Sequence, residues 1–437
     1  MLPRRLTAIA ARNFASAALC RLGRPAAARP LCRPTLLLQK PQPRRLCATL
    51  ASPGGASSSS TSAVAAAAAE GVAPRAVGWW LIGTSGAVFT MVVVGGITRL
   101  TRSGLSMTDW RPQGKRWPRD AAEWEAEFAR YREFPEYQRL HAGTGFALDD
   151  FKKIFFWEWA HRMLGRSIGV IFGAPLAYFA LRGQIPRALA PRLGGLFVLG
   201  GSQGLVGWWM VRSGLDQKKV DEIEGGIPRV SPYRLAAHLT CAFAIFTGLL
   251  HTGLGVLQPR LAAPPAALGP LHARIGLLAC LVGTTAVSGA FVAGMQAGYA
   301  FNTFPLMEGR VIPEGYMELR PLYRNFFESV PSVQLHHRAL ALTTVSSAAA
   351  LWASAQALPL PPQVRLAVDL LAIGSAAQLS LGVATVVHCV PVELGSAHQA
   401  GALTLFSLMI FALHSCRVPH ATTQLVARWG QRRLAHG

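Results

Sequence analysis

The chain has 437 residues, of which 51% are hydrophobic and only 15% are charged. A soluble domain usually carries about 25% charged residues, so this composition excludes an ordinary soluble enzyme. Lys and Arg number 43 against 21 Asp and Glu, which gives a net charge of +22. An excess of this size admits three explanations: nucleic acid, an anionic membrane surface or a targeting peptide.

The N-terminal segment accounts for much of this charge. Residues 1–50 contain nine Arg and one Lys, and the first acidic residue of the chain is Glu70. Arginines spread through an Ala-, Leu- and Ser-rich segment that lacks a continuous apolar core are typical of a mitochondrial or plastid transit peptide. We therefore predict a transit peptide over 1–50 and a flexible linker over 51–76. Its removal takes away +10, so the sequence argues against nucleic acid as a partner.

The rest of the chain is a series of apolar segments. A membrane-spanning helix needs about 20 mostly apolar residues. Eight segments meet this requirement, at 77–98, 156–181, 193–211, 235–257, 271–295, 334–357, 366–390 and 396–415. The sequence therefore predicts an all-α integral membrane protein with eight transmembrane helices, in contact with lipid.

Charge in the loops predicts how the helices are oriented. Eight spans place both termini on one side, where the connections are short and contain no acid. Arginines on that side are Arg182, Arg187, Arg192, Arg260, Arg365, Arg417, Arg428, Arg432 and Arg433. The loops on the other side hold 18 of the 21 acids. Because positive residues in short loops mark the inside of a membrane, both termini are predicted to face the mitochondrial matrix across the inner membrane.

The two halves of the chain resemble each other. The second and sixth spans each begin with a His-Arg pair, the third and seventh each contain Gln-x-x-x-Gly, and the fourth and eighth each begin near Ala-His. The matched residues are His161-Arg162 and His337-Arg338, Gln203 and Gln378, Gly207 and Gly382, and His238 and His398. A duplicated four-helix unit is predicted, with halves at 77–257 and 271–415, a connecting loop at 258–270 and a tail at 416–437. A four-span repeat keeps its orientation, so the two bundles are parallel.

Four histidines occupy matched places within about two turns of the start of an even-numbered span. These are His161, His238, His337 and His398. Even-numbered spans all start from one face, so the four imidazoles are predicted at similar depth near the intermembrane space. Two His on facing helices supply the two axial nitrogens of a six-coordinate haem, and two pairs predict two porphyrin sites. Ligation of a metal without porphyrin is the alternative.

Charged residues beside these histidines admit more than one role. Glu158 precedes His161 by one helical turn, and Gln334 takes its place in the second half. The carboxyl group suits general acid-base chemistry, proton relay or haem orientation, and also a salt bridge to Arg162. Arg162 and Arg338 are suited either to pairing with haem propionates or to anchoring their helices at the membrane surface.

Six segments together carry a family resemblance. They read GGITRLTRSGLSMTDW (95–110), EWAHR (158–162), GLVGWWMVRSGL (204–215), NTFPLM (302–307), VQLHHR (333–338) and SAHQ (396–399). In combination they closely resemble the haem A synthase family over about residues 77–415. The resemblance implies conversion of haem O to haem A, by successive hydroxylation of the C8 methyl group to a formyl group, for cytochrome c oxidase biogenesis.

The resemblance also implies site residues and partners. His337 and His398 would bind a haem b cofactor, whereas Glu158, His161 and His238 would form the catalytic site around haem O. Implied partners are the haem O synthase that supplies the substrate, an electron donor and the cytochrome c oxidase assembly machinery. Small-residue faces such as Gly194–Gly195 and Gly200–Gly201 are compatible with a homo-oligomer.

Two other functions compete with this hypothesis. A dihaem electron-transfer protein of cytochrome b type needs haems near opposite membrane faces, whereas all four His are predicted near one face. A haem-handling assembly factor needs no oxidisable substrate site and no Glu158.

Overall fold

The computed structural model describes residues 73–107, 109, 111, 113–215, 228–258 and 268–417. The predicted transit peptide, most of the predicted linker and connecting loop, and nearly all of the predicted tail lie outside these ranges. Within them, regular structure is helical apart from an isolated β-bridge between Met307 and Arg310. The predicted all-α class is therefore confirmed for the described residues.

Eight long helices correspond in order to the eight predicted spans. They are α1 (Arg75–Leu100), α2 (Leu148–Leu181), α3 (Ala190–Arg212), α4 (Pro232–Leu257), α5 (Gly269–Gly294), α6 (Val330–Gln356), α7 (Pro362–Val387) and α8 (Val392–Ser415). Among the described residues, six of these helices, all except α3 and α6, are long and apolar enough to cross a membrane. The protein is a multi-pass membrane protein.

Neighbouring helices form two rings of four. In the first, α1 packs against α2 and α4, and α3 packs against the same two helices. In the second, α6 and α8 each pack against α5 and α7. The rings meet through α1, α4, α5 and α8. One apolar cluster fills the second ring, and another fills the first ring and includes Leu403 and Ile410 of α8.

Outward helix faces remain apolar. Only 11% of the apolar window of α2 is buried within the protein, and Val170 on its surface is 67% exposed. Val198 on α3 is similarly exposed, at 70%. Broad exposed apolar faces of this kind mark contact with a membrane.

Helix α2 begins eight residues earlier than the predicted start at residue 156. Its additional turns extend into the first long loop, where Phe151 and Phe155 are fully buried. They pack against a loop helix, Ala121–Arg132, that the sequence analysis did not predict. The predicted position of His161 near the start of its helix is therefore wrong, since it lies thirteen residues after Leu148.

The loop helix has a recognisable beginning. Asp120 is its N-cap, and its side chain accepts a hydrogen bond from the backbone N–H of Glu123 at 2.8 Å. Burial of Trp124, Phe128 and Tyr131 against α2 then holds this helix over the end of the first ring. Residues 121–132 of the first long loop therefore form a cap on the side of the ring where α2 begins.

Candidate functional site

Each of the four predicted histidines lies against a glycine of the preceding long helix. The pairs are Gly95 with His161, Gly207 with His238, Gly289 with His337, and Gly382 with His398. A Cβ atom added to these glycines would lie 3.4, 2.9, 3.1 and 2.8 Å, respectively, from the nearest ring atom. Ordinary contacts between carbon atoms are about 3.5–4.0 Å, so glycine is what lets the ring approach the backbone at Gly207, Gly289 and Gly382, whereas the contact at Gly95 is of ordinary length. The pairing recurs in both rings, in agreement with the predicted duplication.

In the second ring, the structure brings His337 and His398 together. Their ring centroids are 6.5 Å apart and their planes are nearly perpendicular, at 88°. Two metal–nitrogen bonds of about 2.0 Å on opposite sides of one metal place imidazole centroids about 6.4 Å apart. The pair therefore fits the two axial ligands of one haem iron.

Both imidazoles of the second ring have a polar contact at Nδ1. Ser288 Oγ on α5 lies 2.7 Å from Nδ1 of His337. Gln378 Nε2 on α7 lies 3.1 Å from Nδ1 of His398 and also donates to the His398 carbonyl at 2.8 Å. Both contacts fix the orientation of an imidazole ring. The Ser288 oxygen can also accept from Nδ1–H of His337, which leaves Nε2 of that residue with its lone pair.

Imidazoles of the first ring lack such contacts. Both ring nitrogens of His161 and Nδ1 of His238 are buried without a hydrogen-bond partner among the described residues. Because buried polar atoms are normally satisfied, these unpaired imidazole nitrogens indicate a position for a bound group.

Glu158 is buried near His161, and both of its carboxylate oxygens accept hydrogen bonds. Its Oε1 accepts a hydrogen bond from Arg162 Nη2 at 2.5 Å, as the predicted salt-bridge alternative requires. Its Oε2 accepts hydrogen bonds from Ser106 Oγ at 2.6 Å and from the backbone N–H of Met107 at 2.8 Å. The carboxylate therefore holds the segment that follows α1 against α2.

Arg162 and Arg338 act alike in the two rings. Arg162 donates to the Asp109 carbonyl at 2.8 Å and also to the Met107 carbonyl. Arg338 donates to the carbonyls of Phe301 at 2.6 Å and Thr303 at 2.9 Å. Each guanidinium thereby ties a long loop over the neighbouring histidine, and pairing with haem propionates stays a prediction.

Gln334 attaches a long loop to its helix in the second ring, as Glu158 does in the first. Its Nε2 donates to the carbonyls of Ala297 at 2.9 Å and Ala300 at 2.6 Å. Both side chains therefore fasten the overlying loop, and both contact the arginine four residues later. What distinguishes Glu158 from its counterpart is its charge rather than its position.

Sequence reasoning missed a second buried acid close to the first ring. Glu136 is only 4% exposed, and the Tyr131 hydroxyl donates to its Oε2 at 3.3 Å. Burial raises the pKa of Glu136 to about 8, and the negative charge of Glu158 adds to the effect. Burial and the neighbouring Glu136 also raise the pKa of Tyr131. The sequence offers no signal for this residue, since it is one of nine acids in 99–155.

His336, which adjoins His337 on α6, packs its side chain against the second long loop and not into the site. Its ring stacks on Phe326, with centroids 4.8 Å apart, and its Nε2 lies 3.3 Å from the Tyr316 hydroxyl. Adjacent helix positions point about 100° apart, so only one of the two histidines faces the interior of the ring.

One residue connects the two histidine sites. Gln399, next to His398, donates from Nε2 to the Val92 carbonyl of α1 at 3.0 Å. Its Oε1 would lie 1.9 Å from a Cβ atom on Gly96, so only glycine fits there. Gly96 follows Gly95, which faces His161. The two sites are therefore joined through neighbouring residues of α1 and α8.

A bundle of membrane helices with four histidines at matched glycine contacts, two of them 6.5 Å apart, is an arrangement suited to binding haem. The comparison with known families is more specific. The family model described as "Cytochrome oxidase assembly protein", COX15-CtaA, matches residues 78–410. The chain belongs to this family, which confirms the resemblance identified from its motifs.

Relatives from plants, bacteria and animals support this assignment. The chain is 48% identical to "Heme A synthase COX15" of Arabidopsis thaliana, over 79% of this chain and 76% of the relative. It is 45% identical to "Heme A synthase" of Rhodospirillum centenum, over 80% and 91% of the two chains. It is 40% identical to "Heme A synthase COX15" of Homo sapiens, over 79% and 83%.

Proposed function

We propose that this protein is a haem A synthase, an oxidoreductase that converts haem O to haem A. The C8 methyl group is hydroxylated twice, and the resulting gem-diol loses water to leave a formyl group. The observation that carries this proposal is the presence of two pairs of histidines at matched glycine contacts, one pair with contacts at both Nδ1 atoms and the other with none there among the described residues. Relatives named as haem A synthases supply the reaction.

The eight long helices form eight spans arranged as two parallel four-helix units, 77–257 and 271–415. The two rings of neighbours and the four matched Gly–His contacts support this arrangement. Both termini face the matrix of the mitochondrion, with the protein in the inner membrane, because arginines without acids occupy the loops on the terminal side. The two long loops cover the histidine sites from the intermembrane space.

His337 and His398 are the residues that hold haem b. Their centroid separation of 6.5 Å supports this assignment. A bound haem b supplies reversible one-electron chemistry. His161 and His238 hold the substrate, haem O, in the first unit, where their unpaired nitrogens are available for it.

Glu158 and Arg162 hold the segment after α1 in place, and this segment closes the substrate site on the side of the first long loop. Together they bind the Met107 backbone at both its N–H and its carbonyl, which holds this residue against α2. Exclusion of water strengthens electrostatic interactions inside the site. The Glu158 carboxylate, the group that Gln334 replaces in the second unit, supplies a negative charge next to the substrate and is the proposed catalytic group.

The chemistry requires partners. A haem O synthase supplies the substrate, an electron donor sustains turnover, and the cytochrome c oxidase assembly machinery receives haem A. The family to which the chain belongs carries this assembly context in its description.

Haem extraction tests this proposal directly. The full chain is expressed in a host that makes haem O but no haem A, and extracted haems are separated by chromatography. We expect haem A from the unmodified protein, none from His161→Ala or His238→Ala, and loss of bound haem b from His337→Ala or His398→Ala. His251→Ala, a second histidine of α4, is the control. Normal haem A formation by His161→Ala, or haem O that is bound but never converted under oxygen and reductant, would overturn the proposal.

Glu158→Gln separates the charge of this residue from its loop contacts. Glutamine has the shape of glutamate and occupies the corresponding position in the second unit, where it holds the loop. We therefore expect Glu158→Gln to fold and to bind both haems but to form haem A at least about tenfold more slowly. Full activity in Glu158→Gln together with loss of folding in Glu158→Ala would assign the residue to loop attachment alone.

A further inference from the structure

The two units differ at the residue that precedes the glycine in contact with the first histidine of each pair. Aligning Gly289 with Gly95, the glycines that contact His337 and His161, places Ser288 opposite Val94. Ser288 Oγ lies 2.7 Å from Nδ1 of His337. A valine side chain offers no such partner, and Nδ1 of His161 has none among the described residues.

Hydrogen bonding around Ser288 determines which nitrogen of His337 carries the proton. A serine hydroxyl has a single hydrogen to donate. Ser288 donates it to the Thr285 carbonyl at 2.7 Å. Toward His337 the hydroxyl oxygen therefore accepts, so Nδ1 carries the proton and Nε2 keeps its lone pair. This is the tautomer that binds a metal through Nε2.

A hydrogen bond at Nδ1 also changes the strength of the ligand. Donation from Nδ1–H to an oxygen fixes the orientation of the ring and raises the basicity of the coordinating nitrogen. Loss of such a partner typically lowers metal affinity about 10–100-fold. Neither nitrogen of His161 has a partner among the described residues, so its tautomer is not fixed in this way.

Granting the proposed function, on which this inference rests, we propose that Ser288 makes the second site a permanent haem site and that Val94 keeps the first site exchangeable. Ser288 is a positioning residue, since it acts through His337 and touches no haem itself. The division suits the two roles: a resident cofactor must not dissociate, whereas a substrate must enter and its product must leave.

The test compares Ser288→Ala with Ser288→Thr, which keeps a hydroxyl at the same position, and with Thr284→Ala as the control. Thr284 lies one turn away on the same helix, and its hydroxyl is bonded to the Cys280 carbonyl. Purified full-length protein in detergent is measured for transfer of haem b to excess apomyoglobin and for the midpoint potential of haem b. We expect Ser288→Ala to release haem b about tenfold faster or more and to shift the potential to a more positive value. Ser288→Thr and Thr284→Ala should behave as the unmodified protein.

The reciprocal variant, Val94→Ser, adds a hydroxyl opposite His161. It should slow the release of haem A from the first site about tenfold and leave the potential of haem b unchanged. Unchanged haem release and potential in Ser288→Ala would overturn the inference, as would equal effects of Ser288→Ala and Ser288→Thr. Failure of the proposed function gives a different result. In that case the unmodified protein itself contains no low-spin haem that is lost when His337 is replaced.

Discussion

Gly382→Ala is expected to remove haem b from the second site while leaving the helix bundle intact. A Cβ atom at this position would lie 2.8 Å from Cε1 and 3.3 Å from Nδ1 of His398. Ordinary contacts between heavy atoms are about 3.5–4.0 Å. The imidazole must therefore move by roughly 0.7 Å or more, which is a large fraction of a metal–nitrogen bond of about 2.0 Å.

Effects on folding should be small because two contributions oppose each other. Replacing glycine by alanine inside a helix stabilises it by up to about 1 kcal/mol. Overpacking at the new methyl group costs about 1–3 kcal/mol. The expected net loss of stability is thus at most about 2 kcal/mol, whereas displacement of an axial ligand should lower haem affinity by more than about 100-fold.

The assay is the haem b content and absorption spectrum of the purified protein. Gly374→Ala is the matched control, because it lies two turns earlier on α7 and its Cβ atom would meet only leucine methyl groups at 3.4 and 3.5 Å. We expect loss of the six-coordinate, low-spin spectrum in Gly382→Ala and its retention in Gly374→Ala. A full complement of low-spin haem b in Gly382→Ala would refute the idea that the glycine contact positions His398.

Two further predictions concern the first site and its loop. Gly207→Ala should abolish haem A formation and leave haem b bound, because its Cβ atom would lie 2.9 Å from Cε1 of His238. The control Gly204→Ala, whose Cβ atom would have nothing within 4 Å, should leave both haem A formation and haem b unchanged. Chromatography of extracted haems checks both variants. Glu136→Gln should raise the melting temperature at pH 9 but not at pH 4.5. The folded-state pKa of Glu136 is raised to about 8 from 4.5, so stability present below pH 4.5 is lost as the pH rises through 8. A pH-independent difference in melting temperature between the two proteins would contradict the pKa assignment.

The long helices could be predicted from sequence because a membrane-spanning segment has a strong and local signal. Helix α1 extends only two residues beyond the predicted segment 77–98 at either end. The prediction fails at the start of α2, where Phe151 and Phe155 are fully buried. Their burial depends on a partner about 20–30 residues away in sequence, in the loop helix Ala121–Arg132. Apolar residues in a segment rich in charged residues carry no span signal, so only the fold reveals this pairing.

The histidines could be predicted because the chain contains each pattern twice. His161 and His337 stand out since each precedes an arginine at the same place in its half. Their glycine partners on α1 and α5, Gly95 and Gly289, carry no such signal, because the sequence contains 43 glycines. Identifying the partners requires knowing which helices are neighbours and how each is rotated, and both follow from packing rather than from local pattern.

Differences between the two units bear on the proposal that each unit has its own task. Gly–His contacts and loop-binding arginines are common to both units, as expected if both proposed sites bind a porphyrin. Two side chains differ between the units, one in each unit. Ser288 adds a neutral hydrogen-bond acceptor to the second site, which favours tight and permanent ligation. Glu158 adds a buried negative charge to the first site, where Gln334 keeps the second neutral. Since a preorganised charge stabilises charge that develops during a reaction, the position of Glu158 supports the proposal that the substrate is oxidised in the first unit.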